Sequence, residues 1–124
     1  MHLSAYNAYC ETLPHSTHLV QWGGSHVWKI GGKVYAIGGA DEAGMLNRCS
    51  FKVSRIGFDI LKEQPGLQGA PHLASRGMSW IQRTTDETMS DEELLTYIRD
   101  SYVIVGRGLT KKKQKELGLL PSSP

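Results

Sequence analysis

The residues best suited to chemistry in this chain are cations with aromatic neighbours. Lys29, Lys33, Lys52, Arg55, Arg76, Arg83 and the run Lys111, Lys112, Lys113 lie among Trp28, Tyr35 and Trp80. Cations neutralise phosphates and fix position, whereas reading bases requires side chains inside a groove. A nucleic acid such as DNA is one partner this set would suit; a plain sheet with lysines facing water is the other reading. Other constellations are sparser. His15-x-x-His18, with His26 or His72, is the one arrangement with metal-ligand character, and it lacks a cysteine or carboxylate at ligand spacing. Ser75 or Ser101 with His72 and an aspartate would make a hydrolytic triad, yet no nucleophile elbow surrounds either serine. The expectation is therefore a protein with no catalytic residues, metal or cofactor.

The charge is unevenly spread. The net charge of +2 divides into −1 over residues 1–47, +4 over 48–83, −5 over 84–106 and +4 over 107–124. Two basic blocks on one small domain favour a polyanionic partner. With 124 residues, 40% hydrophobic and 21% charged, the chain suits one globular domain. No apolar run reaches the roughly 18 residues of a membrane span, and MHLSAYNAYCETLP lacks the basic and apolar regions of a secretory signal. Cys10 and Cys49 are far apart, without CxxC spacing, and read as buried free thiols. A cytoplasmic location and a monomer or weak homodimer are expected.

The elements that must position these residues follow from periodicity. Leu3, Tyr6 and Cys10 predict a helix over 2–12, stopped by Pro14. A short strand and turn cover 18–24. HVWKI-GG-KVYAI (26–37) predicts a hairpin with Gly31 and Gly32 as its turn. Its register would pair Ile30 with Lys33, Lys29 with Val34 and Trp28 with Tyr35. Trp28, Ile30, Tyr35, Ile37 and His26 would then share one face, and Val27, Lys29, Val34 and Ala36 the other. Such a hairpin could enter a DNA groove. Residues 38–47 read as a polar turn and 48–53 as a strand. Ser54 caps a helix over 55–64 with Ile56, Ile60 and Leu61 inward; Gly57 costs it about 1 kcal/mol against alanine and implies close approach to the sheet.

A long loop comes next, with Pro71, Leu73, Met78 and Trp80 as apolar anchors, then a strand over 78–84. His72 would hold the loop's shape by hydrogen-bonding its backbone. Ser90 and Glu93 form a capping box, flanked by Met89 and Leu94, for a helix burying Leu94, Leu95, Ile98, Tyr102 and Val105 and ending at Gly106. Thr110 caps a last helix, 111–117, closed by Gly118. The order predicts an α+β fold with helices packed on one face of an antiparallel sheet. Residues 1–117 form the single domain and 118–124 a flexible tail.

Three stretches, WKIGGKVYAI, SFKVSRIGFDILKEQPGLQGAPHLASRGMSWI and LLTYIRDSYVIVGRGLTKK, resemble the MmcQ/YjbR family of small bacterial proteins. The likeness covers about residues 18 to 117. His72 and Leu73 stand in the family's His-Leu loop, Trp80 in the tryptophan of its strand, and Ser101 and Tyr102 in the Ser-Tyr of its last long helix. Lys33 is the hairpin lysine and Lys52 the strand-to-helix lysine. At Ala74-Ser75-Arg76 the chain departs from the family's Asn-Lys. The resemblance implies a CyaY-like fold, a twisted antiparallel sheet with helices on one face, and a DNA-binding role with a double-wing motif. The frataxins of that fold hold iron on an acidic first helix, whereas residues 1–12 here contain only Glu11. The alternative to DNA is a non-enzymatic peptide or small-ligand module using the 65–80 loop and a sheet groove.

Overall fold

The hairpin at the centre of the sequence is also the centre of the sheet. A computed structural model describes residues 1–119. Gly31 and Gly32, with φ of 58° and 84°, turn β2 (Ser25–Ile30) into β3 (Lys33–Ala40). Ile30 faces Lys33 and Lys29 faces Val34, as expected. Trp28, however, faces Ala36 rather than Tyr35, because the register shifts between Trp28 and Lys29. An extra residue in β3 is a bulge. It lets Tyr35 and its neighbour Ala36 both turn into the core and sends Ile37, opposite Val27, to the other face. Trp28 takes His18 as its stacking partner instead, with ring centroids 4.6 Å apart.

Around this pair, β1 (Ser16–Gln21), β4 (Leu46–Lys52), β5 (Leu67–Gly69) and β6 (Trp80–Arg83) complete one antiparallel sheet of order β1-β2-β3-β4-β6-β5. The expected polar turn at 38–47 is shorter, since Gly38 and Gly39 continue β3. They are places of close approach. A Cβ on Gly38 would lie 2.7 Å from the Tyr6 ring, and one on Gly39 would overlap the Arg48 guanidinium. The short β5 lies inside the stretch read as loop.

The helices α1 (Leu3–Thr12), α2 (Arg55–Leu61), α3 (Asp91–Arg107) and α4 (Lys111–Glu116) follow the expected order. The capping box of Ser90 and Glu93 is present, and Thr110 caps α4 through the Lys113 amide. Leu94, Ile98, Tyr102 and Val105 are buried, and Leu95 is half-buried. In α2 only Leu61 of the three expected residues packs against the core. Phe58 is buried over Gly69, while Ile56 and Ile60 are 75% and 60% exposed. The largest apolar residue of this two-turn helix decides which face docks. Gly57 makes no approach to the sheet; it sits over the Ser54 cap, whose hydroxyl accepts from its amide.

Ser101 and Tyr102 tie α3 to the sheet. Beyond the Ala36–Phe51 pair, β3 and β4 separate. The Ser101 hydroxyl fills the opening: it donates to the Tyr35 carbonyl at 2.6 Å and accepts from the Lys52 amide at 2.8 Å. Tyr102 donates to the Pro14 carbonyl at 2.7 Å and meets Tyr35 edge-on. No described helix is long and apolar enough to cross a membrane. Gly118, at φ 70°, follows α4, and residues 120–124 of the expected tail lie outside the described residues.

Candidate functional site

Strand alternation decides what faces away from the helices. In β4, Cys49 and Phe51 enter the core, so Arg48, Ser50 and Lys52 point to the opposite face. Their partners there are Gly39 and Ile37 on β3, and Gln82 and Trp80 on β6. Two segments stand over this face: the β1–β2 turn with Trp22, and the loop from Ala70 to Met78. Two hollows of about 400 and 490 Å³ share Trp22, Ile37 and Leu73, so they form one groove; the first also reaches the end of α3 at Ile104, Val105 and Gly108.

The loop is held by its backbone. Ala70 donates to the Trp80 carbonyl, Ala74 to Ala70, and Met78 to Leu73. The Ser79 hydroxyl donates to the Val53 carbonyl at 2.7 Å. His72 contributes its conformation, a φ of 70°, and a carbonyl that accepts from Ser75 at 3.0 Å. Its ring makes no hydrogen bond among the described residues, contrary to the role expected of it. Below, Gln68 donates to Gln82 at 2.7 Å, which leaves a polar floor of Gln82, Ser50 and Ser25.

The groove is basic. Lys33 and Lys52 line the first hollow beside Val34, Met78 and Trp80. Arg48 and Arg76 line the second beside His72. No aspartate or glutamate lines either hollow, and none of these four cations is in an ion pair among the described residues. Unneutralised cations around a recess with an apolar wall are the makings of an anion site.

The other expected cations lie elsewhere. Lys29 sits opposite Val34 but lines neither hollow. Arg55 donates to the Gly77 carbonyl at 3.3 Å and lies 5.1 Å over the Phe58 ring. Lys111, Lys112 and Lys113 are exposed on α4 and line neither hollow. Arg83 is a correction. Opposite Cys49 its side chain turns to the helix side, 7% exposed, and donates to the Met89 carbonyl at 2.9 Å and to Asp91 at 2.8 Å. That pairing holds the Asp91 carboxyl below its ordinary range. Of the expected aromatic neighbours, only Trp80 reaches the groove. Tyr35 is in the core, and Trp28 lies on the helix side with its indole N–H on Asn7.

The sparser constellations do not assemble. Ser101 is fully buried and Ser75 bonds a backbone carbonyl, so neither hydroxyl meets the His72 ring. His18 and His26 share a hydrogen bond of 3.0 Å on the helix side; burial and His26 lower the His18 pKa. No group of three or more metal-ligand side chains occurs among the described residues. The two cysteines are buried free thiols, and burial pushes Cys10 up to about 12 and Cys49 likewise upward.

Sequence reasoning missed Trp22, Ile37 and Arg48. The signal for Arg48 was its alternation with Lys52 on one strand. Ile37 was hidden by the bulge. Trp22 stands just before Gly23-Gly24, where an aromatic residue has no packing reason to be.

Fold and groove together define a class: small α+β proteins with an open six-stranded antiparallel sheet, helices packed on it and a loop-roofed groove that reaches the end of the longest helix. The YjbR family model matches residues 11–104, and the chain belongs to that family. Among solved structures, a Deinococcus radiodurans protein, DR2400, described with the family-model domain DUF419, is 29% identical with a TM-score of 0.80. The match covers 99% of this chain and 91% of that one. A Pseudomonas syringae protein shares the fold at 18% identity and a TM-score of 0.65, over 84% of this chain and 98% of that one. Among curated proteins none matches.

Proposed function

We propose that this protein is a non-enzymatic binding protein that takes nucleic-acid phosphates, DNA foremost, into the groove beneath Trp22 and the 70–78 loop. The observation that carries this reading is the convergence of Lys33, Lys52, Arg48 and Arg76 on one recess without a carboxylate. Keeping four like charges together costs folding energy through self-repulsion. The groove therefore recruits an anion to offset it. The side chains of Ser25, Ser50 and Gln82 add hydrogen-bonding groups to the floor.

The test is a titration with fluorescent DNA between about 50 and 200 mM salt. Neutralising four phosphates gives a log–log slope near −3 to −4. Lys52→Gln and Arg48→Gln each flatten that slope by about one and leave the melting temperature unchanged. Absence of binding at low salt ends the proposal. A second reading, a small amphipathic anion, is favoured by the apolar wall of Val34, Ile37, Leu73, Met78 and Trp80 and by hollows within the usual range for small molecules. For that case, a thermal-shift screen against anionic metabolites is decisive, because a ligand that prefers the native state raises its melting temperature.

A further inference from the structure

Phosphate contacts leave one groove residue unused. Trp22 is 63% exposed, whereas Trp28 and Trp80 are each 4% exposed. Its φ is 52°, in the left-handed region that bulky residues avoid. It lines both hollows. An exposed indole in a strained backbone is costly twice, and the turn itself does not need it: Gly23 and Gly24 follow with φ of 73° and 100°. Strain of this kind persists where a side chain has work to do.

We propose that Trp22 is a stacking platform for an unpaired base, and that the groove's ligand is a single strand of nucleic acid. The proposal rests on the phosphate reading above and names its substrate class. A positive groove with an aromatic face is how proteins hold single strands without reading sequence. Lys33 and Lys52 serve phosphates at one end, Arg48 and Arg76 at the other, and Trp22 is common to both ends. A flexible strand can reach cations that rim a recess. A duplex keeps its bases stacked and is read by an element that protrudes into it. The β2–β3 hairpin is the element that could have done so, and it is not free. It is paired with β1 and β4 on its two sides, and Gly31 at its tip is packed against Leu109 and Leu117.

The experiment compares four probes at low salt: a thymidine strand of about ten nucleotides, within the footprint of single-strand grooves, its uridine RNA counterpart, the same strand with abasic sites, and a blunt duplex. All three tryptophans emit, but Trp22 alone is largely exposed, so the part of the fluorescence that a bound strand quenches and that Trp22→Ala removes reports on Trp22. The strands with bases are expected to quench it and to bind about tenfold to a hundredfold more tightly than the abasic strand. Trp22→Ala removes both the quenching and that advantage, while its salt slope stays the same. Quenching by the DNA or by the RNA strand supports the proposal, and the tighter of the two identifies the sugar. Equal binding of the strand, the abasic strand and the duplex, or unchanged affinity in Trp22→Ala, overturns the stacking proposal and leaves the phosphate reading standing. If no probe binds at low salt, the phosphate reading fails and this proposal falls with it. Unchanged melting of Trp22→Ala against the parent protein confirms that the fold is intact.

Discussion

The two faces of this sheet obey different rules. On the helix side, polar groups are matched one to one. Ser101 satisfies both a carbonyl and an amide, Arg83 is paired with Asp91, and Tyr6 donates to the His26 carbonyl at 2.9 Å. On the open side, cations stand unpaired, an indole is exposed, and Trp22 and His72 hold left-handed backbones. The core beneath α1 and α3 is what remains when residues are chosen for packing. The open side keeps features that folding alone would remove. Left-handed backbone also occurs at His15 and large apolar side chains are also exposed at Ile56 and Ile60, but only around the groove do such features coincide with unpaired cations lining a recess.

Ser101→Ala gives the largest effect expected on the helix side. It leaves the Tyr35 carbonyl and the Lys52 amide without a partner in the split between β3 and β4. Each unsatisfied buried group costs about 1–3 kcal/mol, so urea unfolding should show a loss of about 2–3 kcal/mol. The split also sets the position of Lys52, so salt-dependent binding should weaken with it. A stable Ser101→Ala variant would mean that water fills the split, and the contrast between a matched face and an open one would lose its best example.

Gly38 and Gly39 sharpen the comparison, because they are neighbours facing opposite ways. A methyl on Gly38 meets the Tyr6 ring, which is fully buried and cannot give way. Overpacking of this kind costs about 1–3 kcal/mol. A methyl on Gly39 meets only the end of Arg48, a flexible side chain that can move. Gly39→Ala should therefore change stability by less than about 0.5 kcal/mol yet weaken anion binding by displacing Arg48. The pair is scored by thermal melting and by the salt titration. Equal melting losses would show that the two faces are packed alike.

These same residues show how far the sequence could be read. The hairpin, the capping box and the order of helices were legible, because each rests on signals a few residues apart. The bulge was not. It depends on Tyr35 and Ala36 both being drawn into the core by α3, a contact made across some 66 residues of chain by Ser101. Gly38 and Gly39 read as turn residues because their reason, a neighbour's ring or guanidinium, lies on another element. Ile56 and Ile60 read as core because periodicity gives a helix two apolar faces here, and only tertiary contact selects Phe58. The groove was half legible. Lys33, Lys52, Arg76 and Trp80 were named from the sequence, but the charge pattern also named Arg83, whose burial follows from strand alternation and from Asp91.

The smallest effect on stability is expected at the residue with the most to do in the groove. Replacing Trp22 by glycine relieves a left-handed backbone that costs about 1–2 kcal/mol. Against this stand the glycine's extra chain entropy, about 0.5–1 kcal/mol, and the loss of the one-third of the indole that is covered. These contributions nearly cancel, so Trp22→Gly should melt within a few degrees of the parent protein, on the order of a change below 1 kcal/mol. A residue kept for packing cannot be removed so cheaply; Trp80, 4% exposed on the same groove, should cost about 3–5 kcal/mol as alanine. If Trp22→Gly unfolds as readily as Trp80→Ala, then Trp22 is the cap of a small second core, and the open face is a packing surface like the other. If it melts normally and no longer binds a strand, the difference between the faces is one of function.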